Sequence, residues 1–464
     1  MLRDRSEPVD LFTLVPALEL RFEPELAELD RLLEDDQIFQ QVKADLSRRR
    51  PHTIDTGRPS TPVEVILRLL VAQHLYDWSY AQTEHFVGDS LVLRQFCRLG
   101  FDPVPHHTTL MRWSNLLQPE TMHRLLDRVT ELARSLKVTR GRKLRIDSTV
   151  VATTIHYPTD STLLFDGVRM LSRFVQRATT ALTGKPRRVG AQRIRQAKQL
   201  VRRIEATAAV HATTADRAER PRLYRRLLEL TQTSVRQAEQ VQRALAGRSE
   251  AAAERLEAAV RSVAPLVQQV IAQAERRVLR GETVPASEKL VSLFEPHTAI
   301  VRRGKAHLSA EFGRKIMLDE VDGGLVTRYA VLVGNPPDAP ELPTSLAHHQ
   351  LCFDQVPAVL TADRAFFTLD NDQLAHDLHI GSIALPRPGP LTADQLQVRR
   401  RAAFRRAYRW RAGIEGRISV LKRRFGLDRC RYRGEAGMER WVGWGLLAHN
   451  LRQISRTVAT RRGA

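Results

Sequence analysis

The chain has 464 residues, 42% of them hydrophobic, which leaves room for about three domains and a sizeable core and excludes a chain that is disordered throughout. Its 73 Lys and Arg against 52 Asp and Glu give a formal charge of +21 and a sequence pI of about 10.8, so a polyanion partner is expected, nucleic acid first and a membrane surface second. No apolar run is long enough to span a bilayer, the opening MLRDRSEPVD has no apolar signal core, the scattered Cys97, Cys352 and Cys430 argue for a reducing compartment and against a structural zinc, and no phosphate-binding G-x-x-x-x-G-K-[ST] is present.

Residues 1–140 read as mostly helical. Thr61-Pro62-Val63-Glu64 has the form of a capping box ahead of the apolar run VEVILRLLVAQHLY. Asp77-Trp78-Ser79-Tyr80 interrupts and caps the next helix, Pro103-Val104-Pro105 breaks the chain, and Thr108 or Thr109 caps TLMRWSNLLQ. This segment is either a plain helical domain or a helix-turn-helix-like DNA reader, and the charge of the whole chain favours DNA contact. The pairs His106-His107 and His348-His349 lack spaced Cys or His partners and read as loop or capping polarity.

At Lys143 the pattern changes. Residues 143–151 alternate and are β-branched, so they predict a strand carrying Asp147 at its middle. From about Asp166 to Arg280 the chain is rich in Ala, Arg, Gln, Glu and Leu, with apolar residues three and four apart, which predicts long amphipathic helices packed antiparallel. A solvated helical bundle is the plain reading, and a basic arm on DNA or a dimer contact the sharper one. Residues 313–321 and 325–333 flank Asp322-Gly323-Gly324 and predict a hairpin, with turn residues that accept positive φ. Ala358 to Ala362 predicts a strand ending at Asp363, Asn371 to Leu378 a helix, and Ile380 to Leu385 a further strand stopped by Pro386-Arg387-Pro388-Gly389-Pro390.

Further on the chain reads Tyr408-x₂-Arg411-x₃-Glu415-x₆-Lys422. On a helix these positions fall within an arc of roughly 60°. One narrow face then carries a carboxylate between a phenol and two cations. By itself this is ordinary ion pairing, with Glu415 and Arg411 at i, i+4 worth a few tenths of a kcal/mol.

The order strand, long insert, hairpin, strand, helix, strand, helix is that of a ribonuclease-H-like core: a mixed five-stranded α/β sheet interrupted after its first strand by a helical insertion. Such a core brings together an acid in mid-strand, an acid at the end of the fourth strand and an acid on a helix. Asp147, Asp363 and Glu415 stand at those places. Two Mg²⁺ ions roughly 3.5–4 Å apart clamp the attacking and leaving oxygens of a phosphoryl displacement, and oxygen ligands suit them. Without a cation, two carboxylates at about 4 Å repel by about 4 kcal/mol at an effective dielectric of 20. Each acid has a plain alternative: Asp363 as a turn or cap, Glu415 as half of a surface pair. Asp147 is the hardest to dismiss, since strand interiors are depleted in Asp.

These residues resemble the Y-R-E-K signature of bacterial DDE insertion-sequence transposases, with all four positions at full spacing. Val359 to Phe366 is similar to the motif around the second acid, with Ala365 where Gly is common, and Leu144-Arg145-Ile146-Asp147-Ser148-Thr149 to the first. Trp78-Ser79-Tyr80 and Pro105 to Leu110 resemble the helical N-terminal domain of the same families. The best-known members place a β-rich insertion before the Glu helix, where this chain has only residues 386–403. Its long insert follows the first acid instead, as in the group known as ISNCY, which Ile155 to Ser161 also fits.

The resemblance implies Mg²⁺-dependent cleavage (Mn²⁺ as a substitute) at element ends and strand transfer into target DNA, with the metals on Asp147, Asp363 and Glu415. It implies DNA contacts by Tyr408, Arg411, Lys422 and Arg364 on terminal inverted repeats and work at the bacterial nucleoid in the cytoplasm, and cutting two ends favours a homodimer; the basic strip of Arg423, Arg424, Arg429, Arg431 and Arg433 reads either as non-specific phosphate contacts or as a solvated basic face. Trp441 and Trp444 are expected in the core of a final helix. The expected organisation is a helical DNA-binding domain over 1–140, a catalytic domain from 141–165 and 286–430, a helical insertion over 166–285 and a basic C-terminal helix over 431–464. A metal nuclease that cuts without joining and a non-catalytic DNA-binding derivative are the rivals.

Overall fold

The computed structural model describes residues 1–6, 14, 22–49, 52, 59–185, 189–209, 211–301 and 310–463; part of the N-terminal stretch read for a signal core, 7–10, lies outside them. The chain divides into two compact units, Met1–Ala152 with Arg314–Ala464, and Thr153–Gly313.

The strands are β1 (Lys143–Ala152), β2 (Ala299–Val301), β3 (Glu311–Val321), β4 (Leu325–Leu332), β5 (Val359–Ala362) and β6 (Ser382–Ala384). In the first unit β4 pairs antiparallel with β3, β3 neighbours β1, β1 pairs parallel with β5, and β5 parallel with β6. The sheet is therefore mixed, as expected. The β3–β4 turn takes the predicted form: Gly323 and Gly324 have φ of 86° and 75°, a region open to glycine without strain. The carboxylate of Asp322 in that turn accepts from the backbone N–H groups of Arg140 and Lys143, at 3.1 Å each, and so ties the hairpin to the start of β1.

The N-terminal helices and the C-terminal helix Glu435–Gly463 belong to the same unit as the sheet. From Gly437 to Leu451 that last helix is buried on nearly every side, which is why it lacks an apolar stripe. Trp441 and Trp444 lie in the core, as predicted. Gly443 and Gly445 permit the close approach, since a Cβ at either would stand 2.5 Å from Met122 or from Leu427 and the Phe425 carbonyl. Asn450 donates to the Val326 carbonyl at 2.7 Å and accepts from its N–H at 3.0 Å, pairing with β4 as a neighbouring strand would.

The second unit carries the predicted long helices, Asp160–Thr183, Ala191–Ala206, Thr214–Leu245 and Ala251–Ala274, around a core that includes Leu164, Leu171, Leu227 and Val267. Gly167 lets two of them touch: a Cβ there would meet Val267 at 2.9 Å. The short strand β2, not predicted, pairs antiparallel with Glu311–Gly313 of the same unit.

Three local expectations are corrected. The Thr61–Glu64 capping box does not form: Pro62 is the N-cap, and the carbonyls of Arg3 and Asp4 accept from Val63 and Glu64 N–H in its place. That frees the Glu64 carboxylate to pair at 3.1 Å with the fully buried Arg68. The helix His107–Ser114 is capped by His106, not by a threonine, because the imidazole reaches Thr108 N–H. His348 and His349 sit inside the helix Glu341–Phe353 rather than in a loop or cap, held by Asp127 and by the Gly141 carbonyl respectively. The cap expected within Asp77–Tyr80 falls on Ser79, which forms a capping box with Gln82. Among the described residues no helix is long and apolar enough to cross a membrane.

Candidate active site

The parallel register of β1 and β5 runs Lys143 to Val359, Leu144 to Leu360, Arg145 to Thr361 and Ile146 to Ala362. Asp147 and Asp363 are the next residue on each chain, so the register continued by one step would set them side by side on one face, with strands about 4.8 Å apart. Asp363 is still extended, with φ −81° and ψ 177°, and caps the short turn Arg364–Phe366 by accepting from Ala365 N–H at 2.8 Å. The capping reading of Asp363 is thus satisfied by one oxygen and leaves the second for other work. Arg364, directly after it, is exposed.

The signature segment lies on the helix Ala402–Arg424, which packs on β1, β5 and β6. Two residues before Asp147, on the same face of β1, Arg145 makes a bidentate pair with the buried Glu320 of β3, at 2.9 and 2.7 Å. Its guanidinium also donates to the Trp410 carbonyl and lies 4.7 Å from the centre of the Trp410 ring. Gly413 makes this contact possible, because a Cβ there would come within 2.5 Å of Arg145 Nη1. Arg417 completes the anchor: it donates to Glu320 at 3.1 Å and to His449 Nε2 at 2.9 Å. Burial, and then the Arg417 charge, push the pKa of His449 down to about 3, so the ring is neutral and free to accept.

With the helix fixed in this way, Arg411 reaches both acids that flank it. Its Nη2 is 3.8 Å from Asp147 and its Nη1 3.9 Å from Glu415. Both distances exceed hydrogen-bond length, so the attraction is Coulombic. Glu415, with 69% of its side chain exposed, gains little from it after solvent screening. Asp147 is 15% exposed and also accepts from Ser148 N–H at 2.7 Å. Tyr408 is exposed and stacks on Phe404 one turn earlier, while Lys422 is half-buried near the end of the helix.

The β1–β5 register thus brings Asp147 and Asp363 toward one another, and Arg411 lies between Asp147 and Glu415. The three carboxylates do not converge closely: among the described residues, ligand atoms gathered within 4.8 Å occur at Glu84, His106 and His107 and at Asp127, His348 and Cys352. The acid set offers oxygen donors alone, in an open arrangement that leaves room for water. That fits Mg²⁺, which keeps several waters, better than zinc, which favours nitrogen and sulfur.

Arg145, Glu320, Trp410, Gly413 and Arg417 were not singled out in the sequence. For Arg145 a signal was there, since i−2 from a mid-strand Asp places a second charge on the same face. Glu320 and Arg417 are 97 residues apart, and no local pattern joins them. The five arginines of the basic C-terminal strip are all exposed, and Arg431 pairs with Asp77 at 3.1 Å.

Residues 18–116 match the family described as Transposase domain (DUF772), and residues 312–451 match the Transposase DDE domain. The second match contains Asp363 and Glu415, and Asp147 lies outside both. No curated protein and no solved structure matches the chain.

Proposed function

Since the chain belongs to the insertion-sequence DDE transposases, we propose that it cuts the ends of its own DNA element and joins the freed 3′-hydroxyls to target DNA. The observation that best supports this reading is the β1–β5 register, which ends at Ile146 and Ala362, each one residue before an acid, with the Glu415 helix packed on both strands. The sheet order supports a ribonuclease-H-like core, in this reading with Thr153–Gly313 inserted after its first strand. The placement of that insertion favours the Y-R-E-K subgroup with a helical insert.

In this reading Asp147, Asp363 and Glu415 hold two Mg²⁺ ions, with Mn²⁺ able to replace them. Metal bound there supplies Lewis acidity and a more acidic attacking water for in-line displacement at phosphorus. The chain's own residues do the rest. Asp147 and Asp363 set a fixed edge of negative charge, because both are built on paired strands. Glu415, exposed on the helix that also carries Arg411, would complete the ligand set. Arg411 balances Asp147 and Glu415 in the absence of other cations, and turns to a DNA phosphate when they are otherwise neutralised. Tyr408, Lys422 and Arg364 line the approach of the strand. Two ends must be cut for one element to move, so a homodimer on the terminal inverted repeats is the working form.

The test is cleavage of element-end DNA with Mg²⁺. Wild type should give nicks at the ends and joined products, and Asp147→Ala neither. Equal behaviour of the two would remove the metal site, and nicks without joined products would make the protein a nuclease. Short inverted repeats should flank the coding region.

A further inference from the structure

The helix Ala402–Arg424 has a second charged face. Arg417 and Arg424, two and nine residues beyond Glu415, lie roughly 180–200° round the helix from it. There, with Arg423, Arg452, Arg456 and His449, they line a cavity of about 380 Å³ that has no acidic residue in its wall. Two of the five guanidiniums are compensated, Arg417 by Glu320 and Arg452 by Glu25 at 2.7 Å. Arg423 uses one nitrogen on its own helix, bonding the Ser419 carbonyl. The side chains of Arg424 and Arg456 have no partner among the described residues. The helix C-terminus adds about half a negative charge, which three uncompensated arginines outweigh. With His449 neutral down to a pKa of about 3, the positive charge rests on arginines alone.

We propose that this pocket seats phosphodiester groups of duplex DNA on the side of the helix turned away from Asp147, Asp363 and Glu415. The one helix would then touch DNA on two faces, about 10 Å apart. The pocket holds a segment distant from the scissile phosphate. Only the identity of the polyanion rests on the transposase reading; the anion site itself rests on the arginines.

Full-length protein is titrated into a fluorescent duplex without element ends, in chelator, from 50 to 200 mM salt. Removing one arginine–phosphate pair lowers the magnitude of the log–log salt slope by about 0.9. The exposed double variant Arg424→Gln/Arg456→Gln should lower it by about 1.8, so the fourfold rise in salt weakens it about tenfold less than wild type. A double-variant slope equal to wild type, with circular dichroism unaltered, overturns the pocket, as does failure of wild type to bind duplex. Thermal stabilisation by inorganic phosphate that is abolished in the variant, with no change in slope, also overturns it, in favour of a free anion. A protein that shows the slope change yet never cuts DNA keeps the pocket and refutes the transposase reading.

Discussion

Glu320→Gln is the most informative single change outside the acids. Glu320 is fully buried and accepts from Arg145 at 2.9 and 2.7 Å and from Arg417 at 3.1 Å. The amide keeps the shape and removes the charge, so two guanidiniums face one another without a counter-ion. Breaking a buried pair on one side costs about 3–5 kcal/mol. At roughly 2 °C per kcal/mol for a unit of this size, Tm should fall by roughly 6–10 °C. Circular dichroism melts measure this directly. Cleavage measured well below the lowered Tm should also fall, because the same carboxylate anchors the Glu415 helix to the sheet. Replacing the whole cluster, Arg145→Met with Glu320→Leu and Arg417→Met, should recover most of the stability, since apolar substitutes for a buried ion cluster are often neutral. A Tm loss below roughly 2 °C for Glu320→Gln, or a triple variant less stable than the single one, would show that the cluster does not hold the helix.

Asp147→Asn, Asp363→Asn and Glu415→Gln should each reduce Mg²⁺-dependent end cleavage by at least about a hundredfold, or about 2.7 kcal/mol, with Tm unchanged or raised; a mild loss at any one would remove it from the ligand set. Gly413→Ala places a Cβ 2.5 Å from Arg145 Nη1 and should destabilise by about 1–3 kcal/mol in urea titrations, whereas at Gly416, with no atom near, the same change should not destabilise. For His348, burial opposes the cation, but hydrogen bonds to Asp127 and Cys352 outweigh it and raise the pKa to about 10. A raised folded pKa means stability that is complete below the ordinary 6.5 and lost as pH climbs toward 10. The Tm gap between wild type and His348→Gln should therefore narrow over that window, and a constant gap would show that the pair contributes no charge.

Local chemistry made much of the sheet legible. Asp147 within an apolar run, the Asp322-Gly323-Gly324 turn and the Tyr408-to-Lys422 spacing each mark an element by period or turn type, and the structure places strands, hairpin and helix there. Elements defined by distant partners were not legible. The strand β2 is three residues long and exists through Glu311–Gly313. Thr61 and Glu64 look like a capping box until Arg3 and Asp4 arrive from the N-terminus to do the same work. His348 reads as loop or capping polarity until Asp127 meets it at 3.1 Å from a helix 221 residues away. At the candidate site the acids could be named, but not the means of holding them: the Arg145–Glu320–Arg417 anchor joins three elements by tertiary folding alone.

The register that brings Asp147 toward Asp363 also governs which changes in length such a chain survives. A strand alternates its faces with each residue, so one residue inserted or deleted within 143–146 or 359–362 would turn one acid to the opposite side of the sheet while every acid remained in the sequence. Length added between the two acids, where the whole Thr153–Gly313 unit lies, costs only a slowly growing loop entropy. Drift by indels should therefore be frequent across that interval and nearly absent from these eight positions. A decayed copy of the element could carry the full motif and be inert through a single misplaced codon.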